Sequence, residues 1–253
     1  MLWHKAWWET RWRFLTGLLV MCLLSASVVL TQPLVSKMQL DLPDLGERMN
    51  TMVREMMSVI VTYQGYIWSQ WFAKNLINTW ALFAVLLGVG SVLTETARGS
   101  ALFTLSLPVT RARLLGVRAL VGVLELSVLA FVPSLLVTLL SPLIGQTYPL
   151  TDALLYSFLT LAGGLVFYSF AALLSCIFAD QLKPIVIGVL VTFILNILPL
   201  FHSIFERYNV YRVMSGESYF KGNGLPWVGL LVSLALSVVM YASAWRIIER
   251  KDF

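Results

Sequence analysis

The sequence has little of what catalytic and metal sites are made from. Only 12% of its 253 residues are charged, and it contains two cysteines and two histidines. Cys22 and Cys176 lie far apart inside apolar runs, and His4 and His202 are also far apart in the chain, so no metal or redox site is predicted. The two cysteines are interpreted as small buried hydrophobic residues. Phosphate-binding GxxxxGK[ST], zinc-binding HExxH, GxSxG and GxGxxG patterns are all missing from the sequence.

The sequence consists largely of long apolar runs instead. Hydrophobic residues make up 58% of the chain and the mean hydropathy is +0.81, above the roughly 45 to 50% of soluble domains. A membrane span needs about 20 apolar residues, and six such runs lie near 15–35, 74–93, 114–140, 151–178, 184–204 and 226–246. We therefore predict an all-α membrane protein with six transmembrane helices in a single domain, 1–253. The first run is predicted to be a retained span and not a signal peptide, because it is too long for one.

The distribution of basic residues predicts the orientation. Six spans place both termini on one side, and eleven of the 18 Lys and Arg residues fall in the termini and loops of that side. Because Lys and Arg concentrate in cytoplasmic loops, both termini and the loop after the second span are predicted to be cytoplasmic. Segments 36–73 and 205–225 are then extracytoplasmic. The aromatic part of 36–73 is expected to lie along the outer interface or to cap the spans.

The N-terminal segment 1–14 combines tryptophans with basic residues. This composition is typical of a helix at the headgroup level, and we predict such an interfacial helix before the chain turns into the first span. Trp7 is one of its four tryptophans. A tryptophan-anchored flank and a specific docking helix fit the pattern equally.

Glu125 is the one ionisable residue well inside a predicted span. Inserting a carboxylate there costs about 2.5 to 3.5 kcal/mol on insertion scales, so it normally meets a partner or a polar cavity. Two hypotheses stay open: a structural pairing with a polar residue on another helix, or a role in a substrate path or proton relay.

The segment 95–113 has the signals of a short helix. Thr94 or Thr96 can serve as N-cap, Glu95 stands in the first turn and Pro108 ends the helix. One helical face is apolar and consists of Ala97, Ala101, Leu102 and Leu105. This face can dock on a partner protein or lie on the lipid.

The same segment resembles a known family. Glu95, Arg98, Gly99 and Ser100, followed by LSLPVTR over 105–111, resemble the pattern E..RG(T/S)..LLLSLP(V/I)(S/T)R of the type-2 ABC exporter permeases. The ending RKDF is similar to that family's C-terminus, and the tryptophan-rich start with Glu9 and Arg11 is similar to its elbow helix.

The resemblance implies a permease subunit without ATPase activity. It would bind no cofactor itself, and a separate ABC ATP-binding subunit would carry ATP and Mg. A second permease copy, identical or related, would complete a dimer in the inner (plasma) membrane, with no nucleic-acid partner. The helix after the second span would be the coupling helix, through Glu95, Arg98, Gly99, Leu102, Leu105, Pro108 and Arg111, with residues 1–14 bracing it.

Two other function classes stay open. One is a stand-alone ion- or proton-coupled carrier that uses Glu125. The other, a membrane enzyme or assembly factor, has no clustered catalytic residues to support it. Neither the substrate nor the transport direction follows from the sequence.

Overall fold

The computed structural model describes residues 2–38, 62–90, 111–178, 180–198 and 209–250, and all regular structure within these ranges is helical. The long helices are α1 (Leu2–Met38), α4 (Arg111–Leu140), α5 (Leu150–Ile177) and α9 (Trp227–Arg250). The shorter elements are α2 (Tyr63–Ile67), a π-helix (Trp68–Leu76), α3 (Ile77–Gly88), a 3-10 turn (Ser141–Ile144), α6 (Leu182–Ile197), α7 (Val210–Met214) and α8 (Glu217–Phe220).

Four helices are long and apolar enough to cross a membrane. They cover Leu2–Val35, Arg113–Ile144, Leu150–Ile177 and Trp227–Arg250, and they confirm four of the predicted runs. The chain is therefore a multi-pass membrane protein. The runs near 74–93 and 184–204 form shorter helices, since α3 ends at Gly88 and α6 has 16 residues, about 24 Å at 1.5 Å per residue.

The first helix differs from the prediction. A separate interfacial helix over 1–14 and a turn into the first span were expected, but α1 is one helix of 37 residues, about 55 Å long. No glycine or proline stands before Gly17, so nothing in the local sequence breaks the helix. Gly17 stays helical and lies against the Phe83 ring. The expected break near residue 14 is therefore wrong.

The aromatic segment before the second run also differs from the prediction. Residues 63–76, which include most of the aromatic part of 36–73, are helical and continue without interruption into α3. Trp71 and Phe72 are fully buried, so they belong to the helix bundle and not to a surface layer. Inside the π-helix, the Asn75 amide donates to the Gln70 carbonyl at 2.7 Å. Residues 39–61 lie outside the described residues.

Helix α5 lies at the centre of the bundle and contacts α3, α4, α6, α7 and α9. Small residues allow this close packing. A Cβ on Gly88 would lie 2.6 Å from the Tyr168 carbonyl oxygen, so α3 and α5 meet backbone to backbone. A Cβ on Gly164 would overlap the buried Trp80 ring, whose Nε1 donates to the Leu126 carbonyl at 3.0 Å. Trp80 thus joins α3, α4 and α5.

The helices run between two ends of the bundle. At the end that we call the base, Arg13 of α1 contacts the end of α3 and Glu9 of α1 pairs with Arg118 near the start of α4. At the same end, Leu115 of α4 packs with Cys176 of α5 and with Ala244 and Ile248 of α9. At the opposite end, which we call the far end, Tyr63 is hydrogen bonded to Ser141 at 2.6 Å and Trp68 stacks on Phe220 with ring centroids 4.0 Å apart.

Candidate functional site

The candidate site is the base, where the described residues stop at Gly90 and resume at Arg111, on either side of segment 91–110. Most of the predicted coupling residues, namely Glu95, Arg98, Gly99, Leu102, Leu105 and Pro108, lie outside the described residues, and Arg111 is the first residue of α4. What the structure describes is therefore how the two attachment points of this segment are held.

Arg13 of α1 holds the end of α3. Its Nη1 donates to the carbonyl oxygens of Leu86 and Val89, both at 2.8 Å. The last carbonyls of a helix have no partner within the helix and carry a partial negative charge, so a cation there satisfies and stabilises them. Arg13 thus fixes α1 to α3 immediately before segment 91–110 begins.

Gly90 is hydrogen bonded to α5 and lies close to Arg118 of α4. Its N–H donates to Ser175 Oγ of α5 at 3.1 Å, and Ser175 is fully buried. The φ of Gly90 is +153°, and a Cβ there would lie 3.3 Å from the Arg118 guanidinium of α4. A residue with a side chain would be strained in this conformation. The backbone at Gly90, the last described residue before segment 91–110, therefore has one defined geometry.

Arg118 connects α4 to α1 through an ion pair with Glu9. Lys5, one turn before Glu9, lies 3.8 Å from the same carboxylate. The Arg118 carbonyl accepts a hydrogen bond from Tyr168 of α5 at 3.3 Å, and the Leu115 carbonyl accepts one from Tyr241 of α9 at 2.8 Å. The start of α4 is thus attached to α1, α5 and α9.

The three residues singled out in segment 1–14 do not act together. Glu9 joins the base through Arg118, whereas Trp7 is exposed and packs its ring against Phe14, 5.3 Å away. Arg11 stacks its guanidinium over the Trp8 ring at 3.4 Å from the centroid. Trp7 and Arg11 therefore form an outer aromatic and basic surface on α1, typical of a membrane interface.

Glu125 has a polar partner on another helix. It is 2% exposed, and its Oε1 lies 2.5 Å from the Thr10 hydroxyl of α1. Among the described residues, its Oε2 is a buried atom with no hydrogen-bond partner. This geometry agrees with the first of the two hypotheses, a pairing between helices, and the partner, Thr10, is a residue that was not singled out from the sequence.

A second charged cluster lies at the far end. Glu217 pairs with Arg212, whose Nε lies 2.6 Å from Oε2, and with Lys221. Burial alone raises the pKa of Glu217, but the hydrogen bonds and charges of Arg212 and Lys221 outweigh it and hold the pKa below its ordinary value. Glu217 also lines a cleft of about 270 Å³ together with Trp68 and Asn196.

Neither cluster has the composition of a catalytic or metal centre. No group of three or more His, Cys, Asp and Glu side chains could hold a metal ion within the described part of the chain. The base is an arrangement of hydrogen bonds and ion pairs that joins α1, α3, α4, α5 and α9 on either side of segment 91–110.

Sequence reasoning missed Thr10, Arg13 and Ser175. One signal was present for two of them, because Glu9, Thr10 and Arg13 follow the spacing of one helical face. Their partners lie 73 to 115 residues away in the chain, so the pairings themselves could not be read from the sequence.

Comparison of the chain with protein-family models, with curated proteins and with solved structures found no match.

Proposed function

We propose that the chain is the membrane-spanning permease subunit of an ABC transporter, an exporter that moves an unidentified substrate. It would have no ATPase site, and hydrolysis of ATP with Mg would take place on a separate ATP-binding subunit. The observation that carries this proposal is the base: a segment whose sequence resembles the coupling helix of ABC permeases joins the bundle where Arg13, Ser175 and Arg118 hold its attachment points.

This arrangement suits transmission of force. If the ATP-binding subunit pulls or pushes segment 91–110, Gly90 passes the load to α5 through Ser175, and the carbonyls capped by Arg13 pass it to α1. On the other side, α4 receives the load directly and shares it with α1 through Glu9 and Arg118. The segment and these helices would therefore move as one body.

The bundle geometry supports six crossings with cytoplasmic termini. The continuous helix from Tyr63 to Gly88 runs from the far end to the base. Helix α6 ends toward the far end, where the Asn209 amide donates to the Leu195 carbonyl at 3.2 Å. Together with the four long helices, this makes six passes, and both termini and segment 91–110 then share the side that carries more Lys and Arg.

A pair of asparagines supports a second permease copy. Asn78 of α3 and Asn196 of α6 are exposed and hydrogen bonded to each other, on an outer surface that is otherwise rich in leucine, valine and phenylalanine. Polar side chains within a span normally face protein or water and not lipid. We place the second copy and the substrate path on this surface, and the lipid bilayer against the apolar faces.

The test is purification of the tagged chain from its host membrane, with identification of the bound subunit by mass spectrometry. We expect an ATPase to co-purify, and the double reversal Glu95→Lys and Arg98→Glu to abolish its binding while the permease stays in the membrane. Lys74→Glu, a reversal of an exposed charge in the π-helix, is the control and should retain the ATPase. If the double reversal leaves ATPase binding and turnover unchanged, the coupling assignment is wrong.

The carrier hypothesis makes an opposite prediction. Reconstituted in liposomes without ATP or partner, the permease proposed here transports nothing. Substrate uptake driven by a proton gradient alone, and lost in Glu125→Gln, would favour a carrier.

A further inference from the structure

We propose that Glu125 is a proton-binding site that fastens α1 to α4 in its neutral carboxylic acid form, in which it donates a hydrogen bond to Thr10. This inference depends on the contact between α1 and α4 alone and not on the ATP-binding partner. The contacts of Thr10 with Ala6 and with Glu125 can both be hydrogen bonds only when Glu125 is neutral.

The Thr10 hydroxyl has one proton and several acceptors around it. Its Oγ1 lies 3.1 Å from the Ala6 carbonyl and 3.4 Å from the Trp7 carbonyl on α1, and 2.5 Å from Glu125 Oε1. A hydroxyl donates one hydrogen bond and can accept others. If Glu125 carries a proton, its O–H donates to Thr10 Oγ1 and the Thr10 O–H donates to Ala6, and both contacts are satisfied.

The ionised form leaves the contact unsatisfied. Thr10 would have to give its single proton to Glu125 or to Ala6, and Oε2 would keep its charge with no hydrogen-bond partner among the residues that the structure describes. Glu125 is 2% exposed and Thr10 is 6% exposed, so water does not replace the missing donors. A buried carboxylate with one donor is costly, and the neutral acid avoids that cost.

The ionisable groups around the pair have other partners. On α1, Glu9 pairs with Lys5 and Arg118, and Arg13 donates to carbonyls of α3. On α4 itself, Arg118 lies seven residues before Glu125 and pairs with Glu9. On α5, Tyr168 donates to the Arg118 carbonyl. From α3, the Trp80 indole is neutral and donates to Leu126. Because these basic groups are engaged in other bonds, a proton is the ligand that neutralises the Glu125 carboxylate.

Loss of the proton would loosen α1 from α4 at the level of the base. The same turn of α1 carries Glu9 and Arg13, which hold α4 and α3. The protonation state of Glu125 would therefore set how firmly segment 91–110 is anchored, whatever binds that segment.

The test is infrared spectroscopy of the full purified chain at pH 7. The wild-type minus Glu125→Gln difference spectrum should contain the carbonyl stretch of one protonated carboxyl group. The matched control is Glu217→Gln, which removes an ion-paired carboxylate at the far end and should give carboxylate bands only. A carboxylate difference for Glu125 would overturn the proposal.

Substitutions at Thr10 keep the test valid if Glu125→Gln does not fold. Thr10→Ser retains the hydroxyl and should leave the protonated-carboxyl band in place, whereas Thr10→Val removes the acceptor and should shift it. An identical band in both variants would show that the acid does not bond to Thr10 and would contradict the proposal.

Thermal unfolding of two Glu125 variants is a further test. Glu125→Gln, whose amide can still donate to Thr10, should melt near the wild-type temperature, and Glu125→Ala well below it. Equal decreases in melting temperature for these two variants would contradict the proposal that Glu125 donates to Thr10 as a neutral acid.

Discussion

Arg13 is the residue on which the geometry of the base depends most directly. Its guanidinium satisfies two carbonyls that the end of α3 leaves without helical partners. We expect Arg13→Ala to lower the free energy of unfolding by about 1.5 to 3 kcal/mol, the range for hydrogen bonds to charged groups. Thermal unfolding of the detergent-solubilised chain measures this.

Arg246 provides the control for this prediction. It is an exposed arginine on α9, near the same end of the bundle, so Arg246→Ala should change stability by no more than about 0.5 kcal/mol. Equal losses for the two arginines would mean that the carbonyl contacts of Arg13 contribute nothing specific.

The lowered pKa of Glu217 predicts that the stability of the folded chain depends on pH through the far end. Its pKa is lower in the folded chain than the ordinary value of 4.5. The stabilisation that the ion pairs of Glu217 provide is therefore fully present above the unfolded pKa and is lost as the pH falls through the lower, folded pKa. At pH values below about 4.5, the ordinary pKa, we expect the melting temperature of the wild type to decrease with falling pH more steeply than that of Glu217→Gln. Parallel curves would contradict this assignment.

At the residue level, the sequence predicted that Glu125 needs a partner but could not name Thr10. The cost of an intramembrane carboxylate is a local property, whereas the identity of its partner depends on how α1 and α4 pack. Glu9 was indicated by the similarity of the tryptophan-rich start to an elbow helix, and its pairing with Arg118 likewise depends on how α1 and α4 pack.

At the level of elements, the packing of α3 against α5 depends on residues without side chains. Gly164 faces the Trp80 ring and Met214, so Gly164→Ala should overpack this contact and cost about 1 to 3 kcal/mol. Gly116 is a matched control in α4, because a Cβ there meets nothing within 4 Å. Gly116→Ala should stabilise the chain by up to about 1 kcal/mol through helix propensity. Unfolding measurements in which Gly164→Ala is neutral would show that α3 and α5 can separate at low cost.

The positions of the long helices followed from apolar length, but their boundaries did not. Segment 1–14 has the composition of an interfacial helix, yet no residue there forces a break, and α1 continues through it. The aromatic part of 36–73 was expected along the outer interface or capping the spans, but Trp71 and Phe72 are buried by helix contacts that composition does not reveal. In both cases tertiary packing set the boundary.

At the level of the whole molecule, the two ends of the bundle should face opposite sides of the membrane. The experiment uses a chain in which Cys22 and Cys176 are replaced by alanine and single cysteines are introduced at two exposed positions, Lys183→Cys and Gln146→Cys. A membrane-impermeant thiol reagent added to intact cells should label position 146 alone, and position 183 only after the membrane is opened. Labelling of both positions in intact cells would contradict the alternating topology.

The alternation was predicted from six apolar runs and a bias of Lys and Arg toward alternate loops, which are properties of the linear chain, and six crossings stay a prediction. How the ends are built was not predictable, since contacts such as Arg13 with Leu86, or Gly90 with Ser175, depend on packing between distant segments. The coupling residues from Glu95 to Pro108 stay a prediction.

The contacts of Arg13 also determine when, during synthesis of the chain, the base can form. Val89 is 76 residues beyond Arg13, so at about 5 to 20 residues per second the ribosome needs about 4 to 15 s to deliver this partner. Ser175 follows Gly90 by a further 85 residues. A nascent chain that stops before Ser175 already contains all of segment 91–110 but lacks one of the groups that hold Gly90. The hydrogen bond between Gly90 and Ser175, which holds the start of the segment, therefore forms only after most of the protein has been synthesised.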